Sequence, residues 1–100
     1  MSNILLTWEL QAPTSRQRPY DYVRVDTRVD ESLPWTEQDR VDPAGAQELL
    51  FSDVAPGTYY YQVTVVDVDG TESPNPPSVD AVIDFDAPLD VINLIATVQQ

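Results

Sequence analysis

The acidic side chains are the groups of this sequence that could still form a catalytic or metal-binding site. The chain has 17 acidic residues and five basic ones, all of them Arg, and it lacks His, Lys and Cys. This composition excludes a His-based triad, a Cys nucleophile, a Lys Schiff base and a His or thiolate metal site. A carboxylate pair for glycoside hydrolysis remains open in principle. Because the acids are scattered over outward strand positions and loops, we predict no enzyme activity and no cofactor.

One acidic stretch has the spacing of half a calcium loop. In "DVDGTE", Asp67, Asp69 and Glu72 supply alternate carboxylates, and Gly70 stands at the bend. A complete loop needs more ligands and a distal Glu. The alternative is a hairpin turn in which Asp69-Gly70 provides the positive φ. We therefore predict no metal site and keep these three acids as weak cation candidates. A further cluster could bind cations weakly or stand solvated: Asp80, Asp84, Asp86 and Asp90.

The charge balance restricts the partners. A net charge of -12 repels nucleic acid backbones and anionic membranes, and no segment has the roughly 18 apolar residues that span a bilayer. The first residues also lack the basic region of a secretory signal. If Met1 is the native start, we expect the protein to stay in the cytoplasm. The Asp-rich, Lys-free composition fits a host with salty cytoplasm, and a high-GC genome is the alternative.

Alternating apolar and polar residues dominate the rest of the chain. The stretches "NILLTWEL", "YDYVRVDTRV", "TYYYQVTVVDV" and "SVDAVIDF" show this period of two, with a shorter strand at "QELLFSDV". Proline and glycine stand at or near the breaks. The segment "DESLPWTEQDRVDPAGA" is predicted to be a long irregular connection. Several short strands with turns between them predict an all-β sandwich of about seven antiparallel strands.

Residues 53–73, "DVAPGTYYYQVTVVDVDGTES", resemble the E–F corner, F strand and F–G turn of fibronectin type III domains. The resemblance implies that Val54 closes the bottom of the core and that Gly57 permits the turn between sheets. It also implies that Tyr59 is the tyrosine corner, with Tyr60 as the alternative if the register is shifted by one. Trp8 resembles the buried Trp of the family's B strand.

The resemblance fails at the N-terminus, because the chain opens on the B strand without an A strand. An A-like strand stands at the other end, in "APLDVINLIATV", with Leu94, Ala96 and Val98 on one face. We therefore predict a sandwich of strands B to G over residues 1–85 and an A-type strand over residues 86–100. This strand could complete its own domain, add to a neighbouring copy, or belong to the next domain of a tandem array.

Exposed aromatics suggest how the domain meets its partners. Tyr60 is predicted to point outward from its strand, and Trp35 lies in the long connection, where it could bind a partner or fold back over the core. The basic cluster Arg16 to Arg18 could dock an acidic partner or stand solvated.

These features predict a non-enzymatic structural or interaction module. The expected context is a virion protein of a tailed virus, a capsid decoration or tail subunit assembled in the host cytoplasm. Its expected partners are other virion subunits or copies of itself, and we expect neither nucleic acid nor membrane among them. The alternative is an adhesion or carbohydrate-associated spacer from a longer cell-surface or secreted protein. The choice rests on analogy with the fold.

Overall fold

The computed structural model describes residues 2–99. It contains six strands and no helix in that range. Two strands form one antiparallel sheet in the order β1-β4, and four form a second in the order β3-β2-β5-β6. The strands are β1 (Ser2–Thr7), β2 (Tyr20–Arg28), β3 (Thr36–Val41), β4 (Glu48–Val54), β5 (Gly57–Asp67) and β6 (Ser78–Ile83).

The core lies between the two sheets and follows from the alternation in the sequence. Leu6 of β1 packs with Val25 of β2 and Tyr61 of β5, and each is at most 8% exposed. Residues two positions away, such as Ile4 and Val63, pack around them because successive side chains of a strand point to opposite faces. The all-β, two-sheet prediction is therefore confirmed.

The long connection predicted after β2 contains a strand that the sequence did not reveal. Residues Thr36–Val41 form β3 at the edge of the larger sheet and pair with β2 across a register shift between Val25 and Asp26. Five of the six residues of β3 are exposed. A solvated edge strand needs no apolar alternation, so the segment "TEQDRV" carried none.

The segment after β6 differs from the expected seventh strand. The last strand ends at Ile83, and residues 84–99, the C-terminal arm, form no strand within the described part of the chain. The chain extends over 90 × 28 × 16 Å with a radius of gyration of 21.6 Å, where a compact domain of this length has about 13 Å. The arm therefore does not complete the sheet of its own domain.

Candidate interaction surfaces

The C-terminal arm is apolar and exposed along its length. Leu89 is 96% exposed and Leu94 is 91% exposed, and no hydrogen bond joins residues 84–99 to the sandwich in the described range. Asn93 has a φ of 57° and lies at a bend in the arm. The large apolar side chains that the arm exposes are Phe85, Leu89, Val91, Ile92, Leu94, Ile95 and Val98.

The edge of β1 that faces away from β4 is unpaired among residues 2–99. The Trp8 N–H donates to the Gln47 carbonyl at 3.2 Å, on the β4 side. Because alternate N–H groups of a strand point to opposite sides, those of Leu5 and Thr7 point to the open edge. This edge offers the main-chain groups that an added strand uses.

A groove of about 610 Å³ lies beyond the end of β1, next to Trp8 and the loop that follows it, where β6 does not reach. Its apolar wall comes from Trp8, Val63 and Val65, and Pro77 flanks it. Strand β6 pairs with the edge of β5 only as far as Gln62, and beyond that point residues 71–77 bond to the same edge. The rim carries Arg16 and Arg18.

The arm and the groove lie at opposite ends of the sandwich. Pairs Ser2–Val54 and Gly57–Ile83 place the start of β1 and the end of β6 at one end, from which the arm leaves. The other end holds Trp8 and the loops that line the groove. An arm that leaves the first end in an extended form thus points away from the groove of its own chain.

Trp35 and Tyr60 meet on the outer face of the larger sheet. The Arg28 guanidinium lies 4.0 Å from the centroid of the Trp35 ring, and Arg28 pairs with Tyr60 across β2 and β5. Together with Glu31 and Asp80 they line a shallow pocket of about 230 Å³. Trp35 therefore stacks on Arg28 and does not cap the core.

Each carboxylate of the acidic turn, residues 67–72, has its own hydrogen-bond or ion-pair partner. The Asp67 carboxylate accepts hydrogen bonds from the backbone N–H groups of Asp69 and Thr71, at 2.9 and 3.0 Å. Asp69 pairs with Arg18 at 3.0 Å, and Glu72 pairs with Arg24 at 2.9 Å.

Two further features describe this turn as a hairpin. The hydrogen bond from Arg24 holds the pKa of Glu72 below its ordinary value of 4.5. Gly70 has a φ of 82°, as a hairpin turn requires. Within residues 2–99 no three acidic side chains converge as metal ligands would.

Around the corner between the sheets, Tyr59 occupies the position that the resemblance implied. Its hydroxyl donates to the Ala55 carbonyl at 2.7 Å, and its ring packs against the core. Gly57 has a φ of 151°, which L side chains rarely adopt. Val54 is half-buried and lies outside the core cluster.

Trp8 differs from the buried strand residue that the resemblance implied, because β1 ends at Thr7 and Trp8 is half-buried. Its ring packs against the core, and its indole N–H donates to the Gln47 side chain at 2.8 Å.

Three features of these surfaces were missed in the sequence. The open edge arises because β1 pairs only with β4 within residues 2–99, and the groove lies where β6 has not begun; nothing in "SVDAVIDF" marks Ser78 as the first paired residue. The stack of Trp35 on Arg28 was not predicted either, although Trp35 follows Arg28 by only seven positions. The sequence signal that could have indicated this stack is an arginine and an aromatic residue on either side of a turn.

Comparison with known proteins assigns no family to this chain. Residues 2–99 contain no helix of the length and hydrophobicity that crossing a bilayer requires. No protein-family model, no curated protein and no solved structure matches the chain. The all-β sandwich thus stands on the structure itself, while the fibronectin type III assignment stays a prediction from residues 53–73.

Proposed function

We propose that this chain is a non-enzymatic structural module of the fibronectin type III kind, which works by binding other protein subunits. Its most specific context is the virion of a tailed virus, as a capsid decoration or tail subunit. The observation that carries the proposal is the C-terminal arm, which exposes seven large apolar side chains and makes no hydrogen bond to the sandwich in the described part of the chain. Exposed apolar surface of this extent marks a protein-binding segment.

The acidic surface supports protein partners over other classes. A net charge of -12 disfavours the phosphate backbone of nucleic acids and anionic membranes. The segment of the arm beyond Asp90 carries no charged side chain. The unfavourable exposure of this segment is therefore that of its apolar side chains. A groove on another protein would bury these side chains and would also offer main-chain hydrogen bonds.

The proposal is tested by locating the protein in its source. Particles purified on a density gradient are probed with an antibody raised against the sandwich, beside the cell-envelope fraction. We expect the chain in the particle fraction, at a fixed ratio to the major shell or tail subunit across preparations. Recovery in the envelope fraction alone contradicts the virion context.

A second candidate function is a carbohydrate-associated surface module. The observation in its favour is the shallow pocket of Trp35 and Tyr60, flanked by Asp80, since aromatic faces beside carboxylates suit sugar rings. A glycan array with the intact chain, and with Trp35→Ala as the control, tests it. Binding that the substitution removes would favour this function, and no binding would exclude it for the glycans tested.

A further inference from the structure

We propose that the C-terminal arm of one copy completes the open sheet of a second copy, with residues 94–98 added antiparallel to β1 and the chains joined head to tail. This inference rests on the proposed function and names its partner as another copy of this chain. The occupant of the groove beside Trp8 is then the arm of a second copy.

Direction favours a second copy. The arm leaves the end of the sandwich where β1 begins. A strand antiparallel to β1 has to enter at the opposite end, beside Trp8, and run toward Ser2. If a second copy is stacked beyond the end from which the arm leaves, the arm of the first copy meets the Trp8 end of the second copy. The arm then need not turn back.

The side chains of the arm match those of the open layer. In a register that opposes Leu94 to Trp8, Ala96 to Leu6 and Val98 to Ile4, all six residues face the core. Leu6 is already buried, and the small Ala96 lies opposite it. Trp8 and Ile4 are half-buried and gain cover from Leu94 and Val98. The Leu5 and Thr7 N–H groups find carbonyl partners in the same step.

One basic side chain at the entrance can meet the acids of the arm. The arm carries Asp84, Asp86 and Asp90 ahead of its uncharged end, and the groove lining of the receiving copy contains Arg16 and Arg18 beside Glu9, Asp67 and Glu72. Arg18 pairs with Asp69, whereas Arg16 forms no ion pair within residues 2–99. Arg16 is therefore the cation that an acid of the arm would meet.

Contact within the same chain would require the arm to reverse its direction. Eleven Cα–Cα steps join Ile83 to Leu94 and span at most about 36–40 Å, whereas the straight path back along the sandwich for about 25 Å and across about 10 Å between the sheets is about 27 Å. The length of the arm therefore permits closure within one chain, and the direction in which the arm leaves the sandwich is what favours a second copy.

The test measures mass by light scattering across a concentration series of the full chain. We expect mass to rise above the 11.2 kDa of the monomer with concentration, as open chains or a closed ring, because a head-to-tail contact has two different surfaces. Leu94→Asp should weaken association at least about tenfold, which corresponds to about 1.4 kcal/mol. Ile95→Asp is the matched control, since Ile95 faces solvent in the proposed register.

Mixing two damaged chains tests the head-to-tail arrangement. Thr7→Pro removes an N–H from the open edge and leaves the β4 bonds, and Thr7→Ala is its control. Leu94→Asp has a damaged arm and an intact open edge, whereas Thr7→Pro has a damaged open edge and an intact arm. Each alone should be monomeric, and the mixture should form a one-to-one dimer and nothing larger. If Thr7→Pro does not fold by circular dichroism, the double reversal Arg16→Glu and Arg18→Glu replaces it.

Three results overturn the inference: a monomer at every concentration, equal effects of Leu94→Asp and Ile95→Asp, or a mixture without dimer. Failure here is distinguishable from failure of the proposed function. If the chain is monomeric and Leu94→Asp still prevents its recovery in particles, the arm binds a different subunit. That result rejects the second copy and retains the structural role.

Discussion

Val25 and Val91 carry the same side chain in opposite surroundings. Val25 lies between the sheets with 0% exposure, whereas Val91 in the arm is 84% exposed. The sandwich uses its apolar residues to hold one chain together, and the arm holds apolar residues that its own chain does not use. Apolar alternation therefore predicts that a segment is buried in a sheet, but not in which chain that sheet lies.

Truncating these two valines gives the largest expected difference. Val25→Ala should lower the free energy of unfolding by about 2–3 kcal/mol, since it removes two methyl groups from a packed core and leaves a cavity. Val91→Ala should change it by less than about 0.5 kcal/mol. Urea denaturation of dilute protein, where arms are unoccupied, measures both. Equal losses would show that the arm belongs to the core of its own chain.

The strands of the sandwich were predictable where one face is buried. Ile4 and Leu6 alternate with exposed Leu5, and Val23 and Val25 alternate with Arg24, so β1 and β2 follow from the pattern. Strand β3 did not, because an edge strand in solvent is held by main-chain bonds that no side chain records.

The site was less predictable than the fold. The arm was recognised as an A-like strand from Leu94, Ala96 and Val98, but its position depends on which end of the sandwich it leaves. That end is set by the pairing of Gly57 with Ile83, between segments 26 positions apart. The stack of Trp35 on Arg28 likewise depends on the path of the loop between them.

Removing the corner hydroxyl should give a smaller effect, confined to the sandwich. Tyr59→Phe deletes the bond to the Ala55 carbonyl and should cost about 1 kcal/mol of unfolding free energy. Tyr60→Phe is the matched control, because the Tyr60 hydroxyl makes no hydrogen bond within residues 2–99. Thermal denaturation compares the two. A larger loss for Tyr60→Phe would move the tyrosine corner to Tyr60.

Acid sensitivity should show the smallest effect. Because Arg24 lowers the pKa of Glu72 in the folded chain, this ion pair stabilises the fold above pH 4.5, and its contribution is lost as pH falls through the lowered pKa. Glu72→Gln should therefore reduce the acid-induced drop in Tm slightly. Glu9→Gln, at a carboxylate without an ion pair in the described range, is the control. An unchanged pH profile for Glu72→Gln would remove this pair from the stability of the sandwich.

Hydrogen exchange at two protein concentrations tests the central claim most directly. We expect the amides of Ile95 and Thr97, which face β1 in the proposed register, to exchange freely in dilute protein and to become protected as concentration rises, together with those of Leu5 and Thr7. The Val25 amide should be protected throughout. Protection of the arm in the dilute monomer would show that it closes its own sheet, and free exchange at every concentration would show that it adds to no copy of the chain.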